Sequence, residues 1–294
     1  MTKKTRYKKY FEKILKIRMF EELILKLFKL GKISGTTHTC IGQESTPVIA
    51  LSKLKKNDFI ISNHRSHGHF LSYSDNSDGL LNELLGNDNG ICQGIAGSQH
   101  IHYKNFISNG ILGNLIPVAA GIALSNKILK KQDLTYIFIG DGTFGQGVLY
   151  ETLNIASLRN LCCIFIVENN KIAQTTEIKD NLSGKIPDRF KAFKIKTFNT
   201  SSYNISHLEN TFKNSRNYVY MKSKPCAVII DTYRFAAHSK GDDTRPLSYL
   251  KNIKYHYDPL NYLRKYINRD EEKKIFKRIS RCINNLLIKN NITL

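Results

Sequence analysis

The chain has 294 residues, 41% of them hydrophobic, so it can bury a sizeable core and fits one large α/β domain or two small ones. Its net charge of +21 comes from basic residues spread along the whole chain. Without a nucleic-acid-binding motif, that pattern favours a solvated basic surface or an acidic protein partner over nucleic-acid binding. No apolar run reaches the roughly 18 residues of a membrane-spanning helix, and the N-terminus lacks the apolar segment of a signal peptide.

The six cysteines indicate the compartment. None forms a C-x-x-C pair, and several lie inside apolar runs, as buried free thiols do. We therefore expect a reducing cytoplasm.

The first third of the chain predicts an amphipathic helix followed by a mixed region. Apolar residues recur at helical spacing over about 7–30, and Gly31 ends that helix. Residues 31–42 are a predicted loop, and a second helix should start near Gln43. The segment "DFIIS" (58–62) predicts a short strand. Residues 75–114 are rich in Gly, Asn, Asp and Ser, which predicts an ordered loop region with a helical patch near 79–85.

Beyond residue 115 the pattern alternates between helix and strand. The predicted elements are a small-residue helix (116–129), a strand (134–139), a helix (147–158), a strand (162–167), a strand (226–231) and a charged helical tail (261–294). Such alternation predicts an α/β fold with a doubly wound, mostly parallel sheet flanked by helices. We expect one domain over 1–294, with an N-terminal helix and a C-terminal helical tail.

The segment "GDGTFG" (140–145) lies between a predicted strand and a predicted helix and formally matches the dinucleotide-binding pattern G-x-G-x-x-G. Two features argue against a dinucleotide. Asp141 would repel a pyrophosphate unless a cation lies between them. Moreover, Glu168, at the end of the next strand, is 28 residues after Gly140, whereas the ribose-binding acid is expected about 20 residues on.

Both features agree with a diphosphate that is carried by Mg²⁺. This ion takes an octahedron of oxygen ligands, usually one or two from protein side chains. Asp141 and Asn170 end two strands that one helix joins, and a right-handed crossover places those strand ends side by side. The helix that begins near Gly147 favours an anionic phosphate. The alternative is that Asp141 is an ordinary turn former.

These residues carry a family resemblance. The GDG motif and the pair Asn169-Asn170, separated by 26 residues, resemble the thiamine diphosphate signature. The chain from about 18 to 259 resembles the alpha subunit of thiamine-dependent 2-oxo acid dehydrogenases of the pyruvate, acetoin and branched-chain type. The segments that carry this likeness are "GQES" (42–45), "NHRSHGH" (63–69), "GSQHIH" (97–102), "NGILGNLIPVAAGIA" (109–123), "GDGTFGQGVLYETLNIASL" (140–158), "ENN" (168–170) and "YRFAAHSKGDD" (233–243).

The resemblance implies a role for individual positions. It implies that Mg²⁺ is bound by the side chains of Asp141 and Asn170 and by the carbonyl of Ile172. The implied catalytic residue is His238, which would lie beside the reacting carbon on a mobile loop. The implied cofactor-binding residues are His64, Arg65, Gly110, Leu112, Asp141, Gly142, Thr143, Asn170 and His238.

Several positions depart from the family pattern, among them Ile172, where tyrosine is frequent but only the backbone carbonyl is used. His64 stands where an aromatic residue such as tyrosine is usual, Ile95 where a basic residue is common, and Ala236-Ala237 where His-Gly is common. The last two departures bear on the choice of substrate and partner more than on cofactor binding.

The remaining histidines leave alternatives open. His64, His67 and His69 could bind zinc or could contact phosphate and substrate at a strand end, and we favour the second interpretation. His100 could be a structural histidine or part of the wall of the site. A plain surface position is the alternative for His238.

The resemblance also implies an activity and partners. The implied reaction is the oxidative decarboxylation of a small 2-oxo acid, with thiamine diphosphate and Mg²⁺, followed by acyl transfer to a lipoyl acyltransferase. A beta subunit, expected in an α₂β₂ heterotetramer, would supply the glutamate that activates the cofactor. The alternative functions are a subunit of a split transketolase-like or acyloin-forming enzyme, or a basic binding protein without catalysis. Neither nucleic acid nor membrane is an expected partner.

Overall fold

A computed structural model describes residues 2–239, 241 and 243–293. The strands are β1 (Phe59–Ser62), β2 (His102–Tyr103), β3 (Phe106–Ser108), β4 (Thr135–Gly140), β5 (Cys163–Asn169), β6 (Ile172–Ala173), β7 (Thr176–Glu177), β8 (Lys196–Ser201) and β9 (Cys226–Asp231). The helices are α1 (Lys3–Lys29), α2 (Ser45–Ala50), α3 (His67–Ser74), α4 (Ser77–Leu85), α5 (Ile116–Ile128), α6 (Gly147–Leu158), α7 (Ile178–Asn181), α8 (Ile186–Ala192), α9 (Ile205–Lys222), α10 (Leu247–Tyr257), α11 (Pro259–Arg264) and α12 (Arg269–Lys289).

Seven strands form one sheet in the order β2-β3-β1-β4-β5-β9-β8. Every pairing in it is parallel except that of β2 with β3, so the prediction of a mostly parallel α/β sheet is confirmed. A separate short hairpin pairs β6 with β7. Because β1, β4, β5 and β9 pair in parallel, their carboxyl ends meet at one edge of the sheet.

The core lies in two layers, one on each face of the sheet. Along β4, Tyr136 and Phe138 face one layer while Ile137 and Ile139 face the other, the alternation that a strand buried on both faces requires. The first layer includes residues of α1, α9 and α12, and the second includes residues of α5, α6 and α8.

The C-terminal helix α12 packs against α1. It begins with a capping box in which Asn268 and Glu271 satisfy each other's backbone N–H groups. One stripe of apolar residues, Ile275, Ile279, Ile283 and Leu287, joins the first core layer. The predicted helical tail is thus confirmed in type, although it is divided into α11 and α12. The assignment of 1–294 to one domain stays a prediction.

The region 75–114 contains more regular structure than the sequence predicted. Besides α4 it holds β2 and β3, and β3 pairs with β1 through Ile60 and Phe106. The expectation of an ordered loop was therefore wrong for these strands. Strands of two and three residues are too short to produce a periodic pattern.

A buried charge network connects α1 to the segments that lead into α2 and α11. The Nη2 of Arg18 donates to Glu44 Oε2 at 2.9 Å, and its Nη1 donates to Asp258 Oδ2 at 3.1 Å. Asp258 also caps α11 by accepting the N–H of Leu260 at 3.0 Å. Although burial alone would lower it, the pKa of Arg18 is raised by the two carboxylates, so the guanidinium stays charged.

We predict that Arg18→Leu destabilises the chain by about 3–5 kcal/mol, because two carboxylates would remain buried without their cation. The free energy of unfolding in urea measures this. The matched control is Arg278→Leu, which removes an exposed partner of Glu12 at 2.8 Å. The control should change stability by less than about 1 kcal/mol. Equal effects of the two substitutions would contradict a structural role of the network.

Candidate active site

The candidate site is a cavity of about 380 Å³ at the carboxyl edge of the sheet. Its walls come from segments that follow β1, β3, β4, β5 and β9, together with the loop before α2 and the β6–β7 hairpin. The lining residues are His38, Gln43, Asn63, His64, Arg65, Gly110, Leu112, Gly140, Asp141, Gly142, Glu168, Asn170, Ile172, Ala173, Gln174, Thr175, Thr176 and His238. Clefts of this size at this edge are the usual ligand sites of parallel sheets.

Nearly all of the predicted site residues line this cavity. Those that do so are His64, Arg65, Gly110, Leu112, Asp141, Gly142, Asn170, Ile172 and His238. Thr143 is the exception, since its side chain is buried in the turn that follows Asp141. The geometry brings the residues together, and their individual roles remain predictions.

Asp141 and Asn170 follow adjacent parallel strands, as the crossover argument predicted. In the register of β4 and β5, Gly140 lies opposite Glu168, so the residues that end the two strands share one edge. Asn170 Oδ1 accepts the N–H of Ile172 at 3.2 Å, at the start of the β6–β7 hairpin. Lys171, between them, takes the left-handed conformation with φ of 68°.

The Asp141 carboxylate is nearly inaccessible to water and incompletely bonded. Its side chain is 4% exposed, and within the described residues its Oδ2 has no hydrogen-bond partner. Burial raises the pKa of Asp141 to about 6. Hydrogen bonds from the backbone N–H groups of Asp141 and Gly142 lower this pKa, but by less than burial raises it. A buried anionic oxygen without a partner suits a cation, which fits the oxygen ligands that Mg²⁺ prefers.

A 3₁₀ turn (Asp141–Gly145) separates β4 from α6. The helix α6 itself begins at Gly147, where the sequence predicted it. Gly142 approaches the hairpin so closely that an added Cβ would lie 3.1 Å from the Cβ of Ala173. The absence of a side chain at position 142 keeps this part of the cavity open.

Arg65 lines the same cavity as His64 and His238. It is buried, donates to the carbonyl of Thr39, and places Nη2 3.4 Å from Nδ1 of His238. The loop that carries His238 is fixed by Arg245, which donates to the carbonyls of Arg234 and Ala236 and pairs with Asp243. Lys240 and Asp242, in the same motif, lie outside the described residues.

His67 and His69 lie in the interior, away from the cavity wall. His67 hydrogen-bonds Glu21 and Ser98 at 2.9 and 2.8 Å. His69 bonds Ser62 at 2.7 Å and Glu168 at 3.2 Å. The interpretation of these two histidines as phosphate or substrate contacts is therefore not supported. His100 is exposed and does not line the cavity.

His64 instead joins two histidines that are distant in sequence. Its ring centroid lies 4.6 Å from that of His38 and 5.5 Å from that of His238. Burial, followed by the charge of Arg65, lowers the pKa of His64 well below its ordinary value, so this imidazole is neutral. His38 was missed by the sequence analysis. It stands in a loop without periodicity, so no local pattern marks it.

The comparison with known proteins identifies the class. The model of the family "Dehydrogenase E1 component" matches residues 12–287. The chain therefore belongs to the dehydrogenase E1 component family, as its resemblance predicted, and family membership implies thiamine diphosphate as cofactor. The family model covers residues 12–287, a longer part of the chain than the range of about 18 to 259 over which the sequence resemblance was drawn.

Relatives with assigned names point to one kind of subunit. The chain is 32% identical over 263 residues to the pyruvate dehydrogenase E1 component subunit alpha of Zymomonas mobilis, covering 87% of this chain and 74% of that protein. Proteins of the same name from Rickettsia felis and Rickettsia typhi are each 31% identical, covering 90% and 97% of this chain and 82% and 89% of their own lengths. These likenesses favour the dehydrogenase over the transketolase-like alternative.

We predict that Asp141→Asn stabilises the cofactor-free chain. The folded-state pKa of about 6 lies above the ordinary value of 3.8. The folded chain therefore binds more protons in that window, and the wild type loses stability as pH rises through it. The difference of about two pKa units corresponds to about 3 kcal/mol.

Urea unfolding at pH 7.5 and at pH 5 tests this prediction. The asparagine variant should be the more stable at pH 7.5, and the gain should shrink at pH 5, where the wild-type carboxyl is already largely protonated. A gain that is independent of pH would contradict the burial of an unpaired charge.

Proposed function

We propose that this chain is the alpha subunit of a thiamine diphosphate-dependent pyruvate dehydrogenase, which decarboxylates the 2-oxo acid and passes the acyl group to a lipoyl acyltransferase. The observation that carries the proposal is the desolvated Asp141 carboxylate beside Asn170 at the carboxyl edge of the sheet. The names of the relatives support pyruvate as the substrate. A cytoplasmic location, expected from the pattern of cysteines, is part of the proposal.

The oxygen atoms around Asp141 would hold Mg²⁺. We assign the ligands to the side chains of Asp141 and Asn170 and to the carbonyl of Ile172. The ion would neutralise the carboxylate and allow the diphosphate to approach the backbone of Gly142. Arg65 would supply a permanent positive charge on the neighbouring wall.

When bound, thiamine diphosphate supplies the carbon nucleophile and the electron sink that decarboxylation of a 2-oxo acid needs. Gly110 and Leu112 would position its aminopyrimidine side. The buried members of the cavity wall, Asp141 and Arg65 among them, would keep water away from that part of the site. His238, 3.4 Å from the guanidinium of Arg65, would donate a hydrogen bond to the reacting oxygen or guide acyl transfer.

The names of the relatives, which are alpha subunits, support a second kind of subunit as partner. We infer that a beta subunit covers it, completes the aminopyrimidine side with an activating glutamate, and forms an α₂β₂ assembly with this chain. The +21 charge suits an acidic partner surface, and association driven by such charge weakens with salt.

Asp141→Ala in the co-expressed alpha–beta complex tests the function. Calorimetry should show loss of Mg²⁺-dependent binding of thiamine diphosphate, and 2-oxo acid decarboxylation should fall with it. Asn170→Ala should act in the same direction. The matched control, Asp180→Ala, removes an exposed aspartate and should change neither quantity. Unchanged cofactor affinity in Asp141→Ala would overturn the metal assignment.

His238→Ala should separate cofactor binding from catalysis. We expect calorimetry to show retained thiamine diphosphate, while acyl transfer to a lipoyl acceptor falls about 10²–10⁴-fold, the usual contribution of a positioned acid–base group. Wild-type turnover in this variant would remove His238 from the catalytic site.

A further inference from the structure

Three histidines from separate loops converge at the cavity wall. His38 precedes α2, His64 follows β1, and His238 follows β9. Their ring centroids lie 4.6, 4.7 and 5.5 Å apart. One ring nitrogen from each lies within 4.8 Å of one from each of the others. We call these three residues the histidine cluster.

The spacing is close to that of a metal site. In a tetrahedral site with metal–nitrogen bonds of about 2.1 Å, ligand nitrogens are about 3.4 Å apart. Reaching this separation from 4.8 Å requires each nitrogen to move inward by less than about 1 Å. Rotation about the two side-chain torsions of a histidine displaces its ring nitrogens by this amount, so the backbone of the loops that carry these residues need not move.

The ligand chemistry of the cluster differs from that of the Asp141 site. Imidazole nitrogen is a preferred ligand of Zn²⁺, Cu²⁺, Ni²⁺ and Co²⁺, whereas Mg²⁺ prefers oxygen. Three histidines leave one tetrahedral position open for another ligand. The positive charges of Arg65 and Arg234 act on His64 and would repel a metal dication that has only neutral ligands. These charges favour an anionic ligand, either hydroxide or a carboxylate, in the fourth position.

We propose that the histidine cluster binds a transition-metal ion of the Zn²⁺ class, with an anionic fourth ligand, at the wall of the candidate active site. This metal site is separate from the one at Asp141 and goes beyond the proposed function. An ion there occupies space next to His238, where the 2-oxo acid must arrive. Zn²⁺ therefore inhibits the assembled enzyme, in competition with the 2-oxo acid.

Cobalt is the probe for the experiment, because four-coordinate Co²⁺ absorbs visible light much more strongly than octahedral Co²⁺. The alpha–beta complex is titrated with Co²⁺ in excess Mg²⁺, which keeps the Asp141 site occupied. We expect intense bands that saturate at one ion per alpha chain and that Zn²⁺ abolishes. His64→Phe should remove the bands and weaken Zn²⁺ binding at least tenfold in calorimetry.

His256→Ala provides the matched control, since it removes an exposed histidine on α10 and should leave the bands unchanged. His38→Gln serves as a second test of the cluster, and circular dichroism verifies the fold of each variant. Weak octahedral bands alone, or intense bands that persist in folded His64→Phe and His38→Gln, would overturn the proposal. Thiamine diphosphate binding is measured separately, so failure of the proposed function is distinguishable from failure of the metal site.

Discussion

The site depends on one desolvated carboxylate. Asp141 is held at the end of a strand buried on both faces, where the sheet and the 3₁₀ turn exclude water from it. A carboxylate in that position costs free energy in the cofactor-free chain, and a cation offsets the cost. The chain thus carries a local instability that cation binding would relieve, and a strongly shifted carboxyl in a cleft is what a functional site is expected to contain.

Buried hydrogen-bond networks stabilise the segments that line the cavity. Glu21 links the backbone of Cys40 to His67, and His69 connects Ser62 to Glu168. The Arg18 network lies on the same side, where Glu44 accepts the N–H of Gly42 at 3.0 Å. Since each network joins segments that are distant in sequence, it stabilises the loops that line the cavity from the side of the protein interior. Such support is what a preorganised site requires.

Much of this fold could be predicted because its signals are local. The strands β4, β5 and β9 are apolar runs with abrupt polar ends, and the crossover rule then places Asp141 beside Asn170. The convergence of His38 with His64 and His238 could not be predicted, because it arises from the packing of three loops and leaves no pattern in any one of them. The same holds for β3, whose partner is β1, more than 40 residues earlier.

The cavity combines two ligand sets of different character. Oxygen atoms gather around Asp141, and imidazole nitrogens gather around His64, with Arg65 buried at the wall that carries His64 and His238. Because selectivity among metal ions depends on ligand type and geometry more than on affinity, the two proposed sites would take different ions. An aromatic residue without a ring nitrogen at position 64 would leave only two imidazoles, which are too few for a three-histidine site. In that proposal, the histidine at position 64 would add a nitrogen ligand to the wall, while the oxygen ligands around Asp141 would remain as they are.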